Sequence, residues 1–309
     1  DYTFVINKFD HPEPPSEPGD ILVITSGNCF VGNFKGEVLY VDGEPGEFYL
    51  SNEDRFKTHY AGIGVPPKDW EGGNPPWREV GPSFPSAMTL PYFLVEIIVN
   101  EHMLDGNELA QLDRSTVDHP DFAMYMASNC RPVRREIFFD ELFDAAVAAG
   151  VSPPTALGMC HGTHPEASKF LNDRAERFST TIDKIKPYRF AVVFENTAVE
   201  GYITEKILQA FSAGTIPVYW GTPEVLNYFN PDSFIFVDTS SAETRKVSID
   251  RMLDLERDPV AYEAMLRQPI IKEPVRDTLE KYFSITDEVG GGQLKKRIRD
   301  MLSVPGNVT

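Results

Sequence analysis

The stretch of this chain richest in residues able to do chemistry is "FENTAVEGYITEKILQAFSAGTIPVYWG", residues 194 to 221. It sets Tyr202, Thr204, Glu205 and Lys206 where an apolar run, "YRFAVVF", gives way to a helical pattern, "ITEKILQAFSA". In open parallel sheets, ligands bind where strands end and helices begin. A helix start also offers unpaired N–H groups and a positive dipole end, which suits a diphosphate. Lys206 would neutralise such an anion as a point charge. Glu205, repelled by phosphate, is suited to accept from a ribose diol or a sugar hydroxyl, and Tyr202 offers an aromatic wall and a phenol donor. The plainer alternative is a glutamate complementing the helix dipole beside a solvated lysine, with Asn196 and Gly201 as ordinary loop punctuation. A second cationic cluster, "RPVRRE" (Arg131, Arg134, Arg135), falls between another strand pattern and the next helix. Cations at two strand-to-helix junctions on one sheet edge would form a diphosphate clamp. Pairing of these arginines with surface carboxylates is the competing reading.

The elements that must position these residues alternate. "ILVIT" and "EVLYV" are short apolar, β-branched strand candidates that follow the proline-rich "HPEPPSEPGD". "GIGVPPKDWEGGNPPWREVGPSFP" is crowded with Gly, Pro and Trp and reads as surface loop. "PYFLVEIIVNEHML" is a helix candidate with Pro91 in its first turn. "DFAMYMASNC" contains a strand. "RREIFFDELFDAAVAAG" is a helix with apolar Ile137, Phe138, Leu142, Ala145 and Ala146 and a glycine stop at Gly150. Ile203, Ile207, Leu208 and Phe211 share one face of the helix that follows "YRFAVVF", Gly214 is its C-cap candidate, and "TIPVYW" is strand. "SIDRMLDLERD" and "VAYEAMLRQ" read as helices. Strands alternating with helices predict an α/β fold built from parallel βαβ units.

Composition narrows the partners. The chain has 309 residues, with 29 Lys plus Arg against 47 Asp plus Glu and a formal net charge of −18. That balance repels phosphate backbones and anionic lipid, so nucleic acid and membrane surfaces are excluded as partners, and an anionic ligand needs local cations. The longest apolar run, "PYFLVEIIV", carries Glu96 and is too short to span a membrane. Any membrane association would come through a segment outside this sequence. Cys29, Cys130 and Cys160 are too few and scattered for a disulfide framework, and an odd count leaves one thiol free even if two pair. A reducing compartment is the simpler expectation. "CHGTH" (Cys160, His161, His164) supplies too few ligands at zinc spacing and reads as a mobile loop.

Residues 194 to 234 resemble the signature segment of the α1,3/1,4-fucosyltransferase family. That pattern runs F-E-N, a short loop, G/D-Y-I/V-T-E-K, a helix, a G/A-x-I/V-P-V/I-x-x-G turn and an N-x-x-S-F-I segment, and the bacterial members are nearest to it. Upstream, "SNCRPVRREIFFDEL" resembles the family's S-N-x-x-x-x-x-R stretch, in which one arginine reaches the donor pyrophosphate. The motif's arginine is assigned to Arg134, or to Arg135 if the register moves by one. The first hundred residues match weakly.

The resemblance implies two Rossmann-like domains facing across a cleft, the GT-B arrangement. Residues 1–118 would bind acceptor, and residues 119–309 would bind GDP-β-L-fucose and end in a helical segment. It implies transfer of fucose with inversion to a hydroxyl of a GlcNAc- or Glc-type residue in a lactosamine- or chitobiose-like glycan, giving an α1,3 or α1,4 linkage. Donor-binding residues would be Arg134, Asn196, Tyr202, Glu205 and Lys206. An alcohol is a poor nucleophile until deprotonated, so a base is needed. The family's glutamate after an N-terminal-domain strand corresponds to Glu44 in "VLYVDGEPGEF", with Asp42 and Glu47 as neighbouring alternatives. No Asp-x-Asp pair occurs, so no metal site is required and Mn or Mg would enter only as a stimulant. Bacterial relatives work at the cytoplasmic face, which is the expectation here; a Golgi lumen is the alternative if an N-terminal anchor has been removed.

Two other functions compete. Many retaining nucleotide-sugar transferases of this architecture carry two glutamates with seven residues between them. Glu195 and Glu205 are separated by positions 196 to 204, nine residues, which does not fit. A non-catalytic glycan-binding homologue would lack the base or the cations, and this sequence has both.

Overall fold

The computed structural model describes residues 106–169, 181–198 and 202–271, and the backbone of three strands nearer the N-terminus. Two compact units divide the chain, Asp1–Leu90 and Pro91–Thr309. In the first, β1 (Ile21–Thr25), β2 (Glu37–Asp42) and β3 (Thr58–Gly62) form a parallel sheet in the order β1-β2-β3. Ile21 lies opposite Glu37 in its register, and Val38 opposite Thr58. The β-branched runs anticipate β1 and β2. The third strand, "THYAG", has no such signature, since a histidine, an alanine and a glycine interrupt the apolar alternation. Glu44, Glu47 and the helix candidate at 91–104 lie outside the described residues.

In the second unit, α1 (Gly106–Gln111) precedes β4 (Asp121–Tyr125), α2 (Val133–Ala148), β5 (Thr155–Ala156), α3 (Thr181–Ile185) and β6 (Tyr188–Phe194). Then follow α4 (Glu205–Ser212), β7 (Ile216–Trp220), α5 (Val225–Tyr228), β8 (Ile235–Phe236), α6 (Ala242–Arg257) and α7 (Pro259–Leu266). The five strands are parallel in the order β5-β4-β6-β7-β8. Alternation along β6 decides which side each residue serves. Phe190, Val192 and Phe194 join the core under α2 and α6, whereas Ala191 and Val193 join the core under α3 and α4. The expected α4 face is buried: Ile203, Ile207, Leu208 and Phe211 are each at most 1% exposed. Each such side chain contributes roughly 1.5–3 kcal/mol by leaving water. In α2 the expectation needs one change: Ile137 is 38% exposed, and Phe139 and Phe143 carry the buried face with Phe138 and Leu142. Gly150 and Gly214 stop α2 and α4 with φ of 69° and 81°, as glycine stops do.

Arg114, in a 3-10 turn before β4, is fully buried. Its guanidinium donates to the carbonyls of Thr215 (3.1 Å), Ser233 (3.1 Å) and Met265 (3.0 Å) and lies 5.3 Å from the Phe211 ring centroid. It therefore ties the starts of β7 and β8 to the end of α7.

The cysteine pairing left open above is settled, and the expectation of a mobile loop is corrected. Cys130 and Cys160 form a disulfide, which joins the β4–α2 loop to the "CHGTH" segment. That segment is held rather than mobile. The Gly162 amide donates to Glu136 Oε2 (2.7 Å) and the Thr163 amide to Asp140 Oδ1 (2.8 Å), while the His164 ring stacks on Phe143 at 3.8 Å. Gly162 has φ of 56°, and a Cβ there would meet Asp140 Oδ1 at 1.9 Å, so only glycine makes this turn. The bridge spans 30 residues, for which loop entropy gives about 3–4 kcal/mol. Urea unfolding of a Cys130→Ser/Cys160→Ser protein is expected to show a loss of that size. An unchanged midpoint and slope would mean that the bridge does not act on stability.

Candidate functional site

The strand order reverses direction at β4 and β6. From β4 the chain goes outward to β5 on one side, while β6, β7 and β8 lie on the other. The carboxyl ends of β4 and β6 therefore bound a topological switch point, the place where open sheets leave a crevice for ligands. Every described residue of the two cationic clusters lies at or beside this edge in sequence. Arg135 is in the first turn after β4, Glu195 and Asn196 follow β6, and Thr204 to Lys206 open α4.

Glu195 continues the β6 ladder, its amide donating to Trp220 O at 2.8 Å. Alternation along the strand turns its side chain toward α4, and it is fully buried. Oε1 accepts from the Thr204 amide (2.8 Å), with the Tyr219 hydroxyl at 3.5 Å. Oε2 accepts from the Thr204 hydroxyl (2.9 Å) and from Lys206 Nζ (3.1 Å). Thr204 is also the N-cap of α4, accepting from the Lys206 amide, and its Oγ1 takes a further bond from Lys206 Nζ at 2.9 Å. Glu205 Oε1 lies 3.5 Å from the same ammonium. Gly221 closes the corner: a Cβ there would sit 2.3 Å from the Tyr219 hydroxyl and 2.9 Å from Glu195 Cγ.

Burial pushes the Glu195 carboxyl up from its ordinary value, with Lys206 and the Thr204 donors pulling the other way. For Lys206, burial pulls downward, but the attraction of Glu195 and Glu205 outweighs it and holds the ammonium above its ordinary value. With this many donors converging on one carboxylate, the Glu195–Lys206 pair is ionised. Burial and the nearby Glu195 push the Tyr219 phenol well up, so it stays a neutral donor.

Arg135 is 2% exposed. Its Nε donates to Glu195 O (3.3 Å), one terminal nitrogen to Asn129 O (3.3 Å) and the other to Asn196 Oδ1. These partners are all neutral. The adjacent Glu136 points elsewhere, accepting from the Tyr125 hydroxyl (2.5 Å) and the Gly162 amide. Among the described residues no carboxylate lies within ion-pair distance of Arg135, a desolvated cation at the switch point.

The sequence-based assignments are distributed as follows. Asn196 and Lys206 belong to this constellation, and Asn196 Nδ2 also donates to the Tyr202 hydroxyl at 3.3 Å. Tyr202 is itself fully buried and supports Asn196 rather than presenting an open wall. Glu205 is partly exposed beside Lys206. Arg134 is exposed, with its guanidinium 5.2 Å from the Trp220 ring centroid, so the structure brings Arg135, not Arg134, to Asn196. Glu44 lies outside the described residues. Sequence reasoning left Glu195, Thr204 and Tyr219 without a role. Glu195 carried a usable signal, being a carboxylate directly after a seven-residue apolar strand. Among the described residues no group of three or more His, Cys, Asp or Glu side chains is arranged to hold a metal, and no helix is long and apolar enough to cross a membrane.

Comparison with known proteins gives this geometry a lineage. Residues 118–267 match Glycosyltransferase family 10 (fucosyltransferase) C-term. The alpha-(1,3)-fucosyltransferase FucT of Helicobacter pylori is 36% identical over 116 residues, 38% of this chain and 21% of that protein. An alpha-(1,4)-fucosyltransferase of Arabidopsis thaliana is 33% identical over 99 residues, 32% of this chain and 24% of that protein. GDP-fucose protein O-fucosyltransferase 3 of Bos taurus is 35% identical over 145 residues, 46% of this chain and 29% of that protein. The matched stretch thus spans well under a third of the length of each of these relatives. A crystal structure of an α1,3-fucosyltransferase with GDP aligns over 83% of this chain and 71% of its own, with a TM-score of 0.48 and 23% identity. The stretch that carries the switch-point site, residues 118–267, is thus similar to the C-terminal domain of glycosyltransferase family 10, the fucosyltransferases.

Proposed function

We propose that this protein transfers L-fucose from GDP-β-L-fucose to a glycan hydroxyl with inversion, and that the switch-point site holds the donor's diphosphate. The observation that carries the reading is Arg135: a buried guanidinium with neutral partners, next to the α4 N-terminus and Lys206. An anion there would supply a countercharge and meet a helix dipole of the right sign. In this reading Arg135 takes the pyrophosphate role that the sequence analysis assigned to Arg134, and Glu205 faces the ribose or sugar hydroxyls. A second Rossmann-like domain, completing a GT-B pair, would bring the acceptor and the base Glu44. The cations do the work of a metal, so a divalent ion stimulates at most. Disulfides persist in oxidising compartments and are rare in the cytosol, so the Cys130–Cys160 bridge supports the lumenal alternative over the cytoplasmic one.

The acceptor admits a second reading. The bovine protein O-fucosyltransferase matches 46% of this chain, against 38% for the bacterial enzyme, which favours weighing a protein hydroxyl beside a GlcNAc- or Glc-type sugar in α1,3 or α1,4 linkage.

One set of measurements tests these points. A ligand that binds only the folded state raises Tm by mass action, so GDP is expected to raise it more than UDP, CDP or ADP. GDP-fucose should be consumed faster with a lactosamine-type acceptor than with water alone or a folded protein acceptor, and activity should persist in excess EDTA. Equal shifts with UDP and GDP would remove the fucosyl assignment. Transfer only to the protein acceptor would select the second reading, and complete, metal-reversible loss in EDTA would refute the clamp.

A further inference from the structure

Glu195 is the one residue in the described site bonded to both of its cations. Its main-chain carbonyl accepts from Arg135 Nε at 3.3 Å, and its carboxylate accepts from Lys206 Nζ at 3.1 Å. The carboxylate has no exposure of its own, while the Lys206 side chain keeps 23%. A ligand in the crevice could therefore reach Lys206 but would find Glu195 already enclosed by Thr204, Lys206 and Tyr219.

We propose that Glu195 is a positioning residue for the anion site, acting on the donor only through Lys206, whose ammonium it fixes in direction.

This inference rests on the diphosphate reading above, and it follows from what an enclosed carboxylate costs. A buried ion pair is weak support for stability, since an apolar replacement of similar volume often does as well. Here three of the four donors to the carboxylate come from the first turn of α4 and its cap, and the fourth, the Tyr219 hydroxyl, comes from β7. A lysine has several freely rotating bonds, so an untethered ammonium would sample many positions and pay for ordering on each binding event. Two bonds, to Glu195 Oε2 and Thr204 Oγ1, take that freedom away in advance and leave the third ammonium proton for a ligand. The attraction of Glu195 and Glu205 also holds Lys206 above its ordinary pKa, against a burial effect that pulls it down beside Arg135. Without the Glu195 charge, burial and Arg135 would act on Lys206 with only Glu205 to oppose them.

A double-mutant cycle separates this role from a structural one. Glu195→Gln keeps the shape and leaves the main-chain bond to Arg135 untouched, so of the two cations it disturbs only Lys206, along with the neighbouring Thr204 and Tyr219 contacts. By calorimetry, Glu195→Gln is expected to weaken GDP binding roughly 10-fold, within the coupling range for residues of one network. Lys206→Ala is expected to weaken it about 10- to 100-fold, as for a lost charge-assisted bond. The double variant should bind like Lys206→Ala alone. The alkaline limb of GDP affinity should move to lower pH in Glu195→Gln, a readout that general loosening would not shift. If Glu195→Gln weakens GDP equally with and without Lys206, or leaves the limb in place, the proposal is overturned while the diphosphate site stands. If Lys206→Ala binds GDP as the parent does, the site reading falls and the proposal with it. Should Glu195→Gln fail to fold, Thr204→Val, which removes the hydroxyl shared by both residues, takes its place in the same cycle with the same expected non-additivity.

Discussion

Glu44→Gln is expected to lower kcat by about 10²–10⁴-fold, the usual contribution of a general base, with GDP affinity nearly unchanged. In a single inverting displacement the acceptor oxygen attacks the fucose anomeric carbon as GDP departs, and its proton must leave at the same stage. A carboxylate receives that proton; an amide of the same shape does not. Because the substitution preserves size and one hydrogen-bonding oxygen, a large loss cannot be assigned to packing. The pH–rate profile of the parent should fall on the acid side as the carboxylate protonates, and this limb should vanish in Glu44→Gln. Glu47→Gln and Asp42→Asn are the controls. Loss in one of them, with Glu44→Gln near normal, would move the role along "VDGEPGEF" without changing the chemistry. Full activity in all three would refute a base in this segment.

Arg114→Met is expected to destabilise the C-terminal unit by on the order of 5 kcal/mol, with no direct effect on the reacting groups. The side chain satisfies the carbonyls of Thr215, Ser233 and Met265, and an apolar replacement leaves them buried without that donor, at about 1–3 kcal/mol each. Burial lowers the guanidinium pKa to about 10, well below the ordinary arginine range, so it remains charged at neutral pH. Between about 10 and that ordinary range the unfolded chain binds this proton more tightly than the folded one, so the contribution of Arg114 to stability rises with pH across that window. Acidification leaves it unchanged. Arg114→Lys keeps a cation but not the planar fork and should fall between parent and Arg114→Met. A urea-unfolding difference below about 1 kcal/mol for Arg114→Met, under the usual value of one such bond, would refute the keystone role.

Much of the second unit was legible because each element announces itself by period. β4, α2, β6, α4, β7, α6 and α7 all lie where strand or helix patterning put them, since their buried positions recur at the matching spacing. The donor arginine shows where such reading stops and how far it could have gone. Arg135 shares a helical face with Phe138, Phe139 and Leu142, three, four and seven residues on, whereas Arg134 lines up with exposed Ile137. The helical register therefore pointed inward at Arg135, and the motif's five positions after Asn129 also end on Arg135, so the assignment to Arg134 stopped one residue short. Glu195 required knowing that β6 is buried on both faces, so that a carboxylate at its end must find donors. Arg114 and the Cys130–Cys160 bridge depend on partners 30 or more residues away, a separation over which local patterning carries no information.

The Glu195 amide belongs to the β6–β7 ladder through its bond to Trp220 O. The residue that aims Lys206 thus opens to solvent only when the central strands part, which is the costliest opening a domain undergoes. Hydrogen exchange at that amide would follow global unfolding rather than loop fraying. An anion arriving at this corner meets a surface whose geometry is already set, so little of its binding free energy goes into ordering chain. Affinity and thermal stability consequently share one set of hydrogen bonds here, and substitutions that loosen the end of β6 will alter both together.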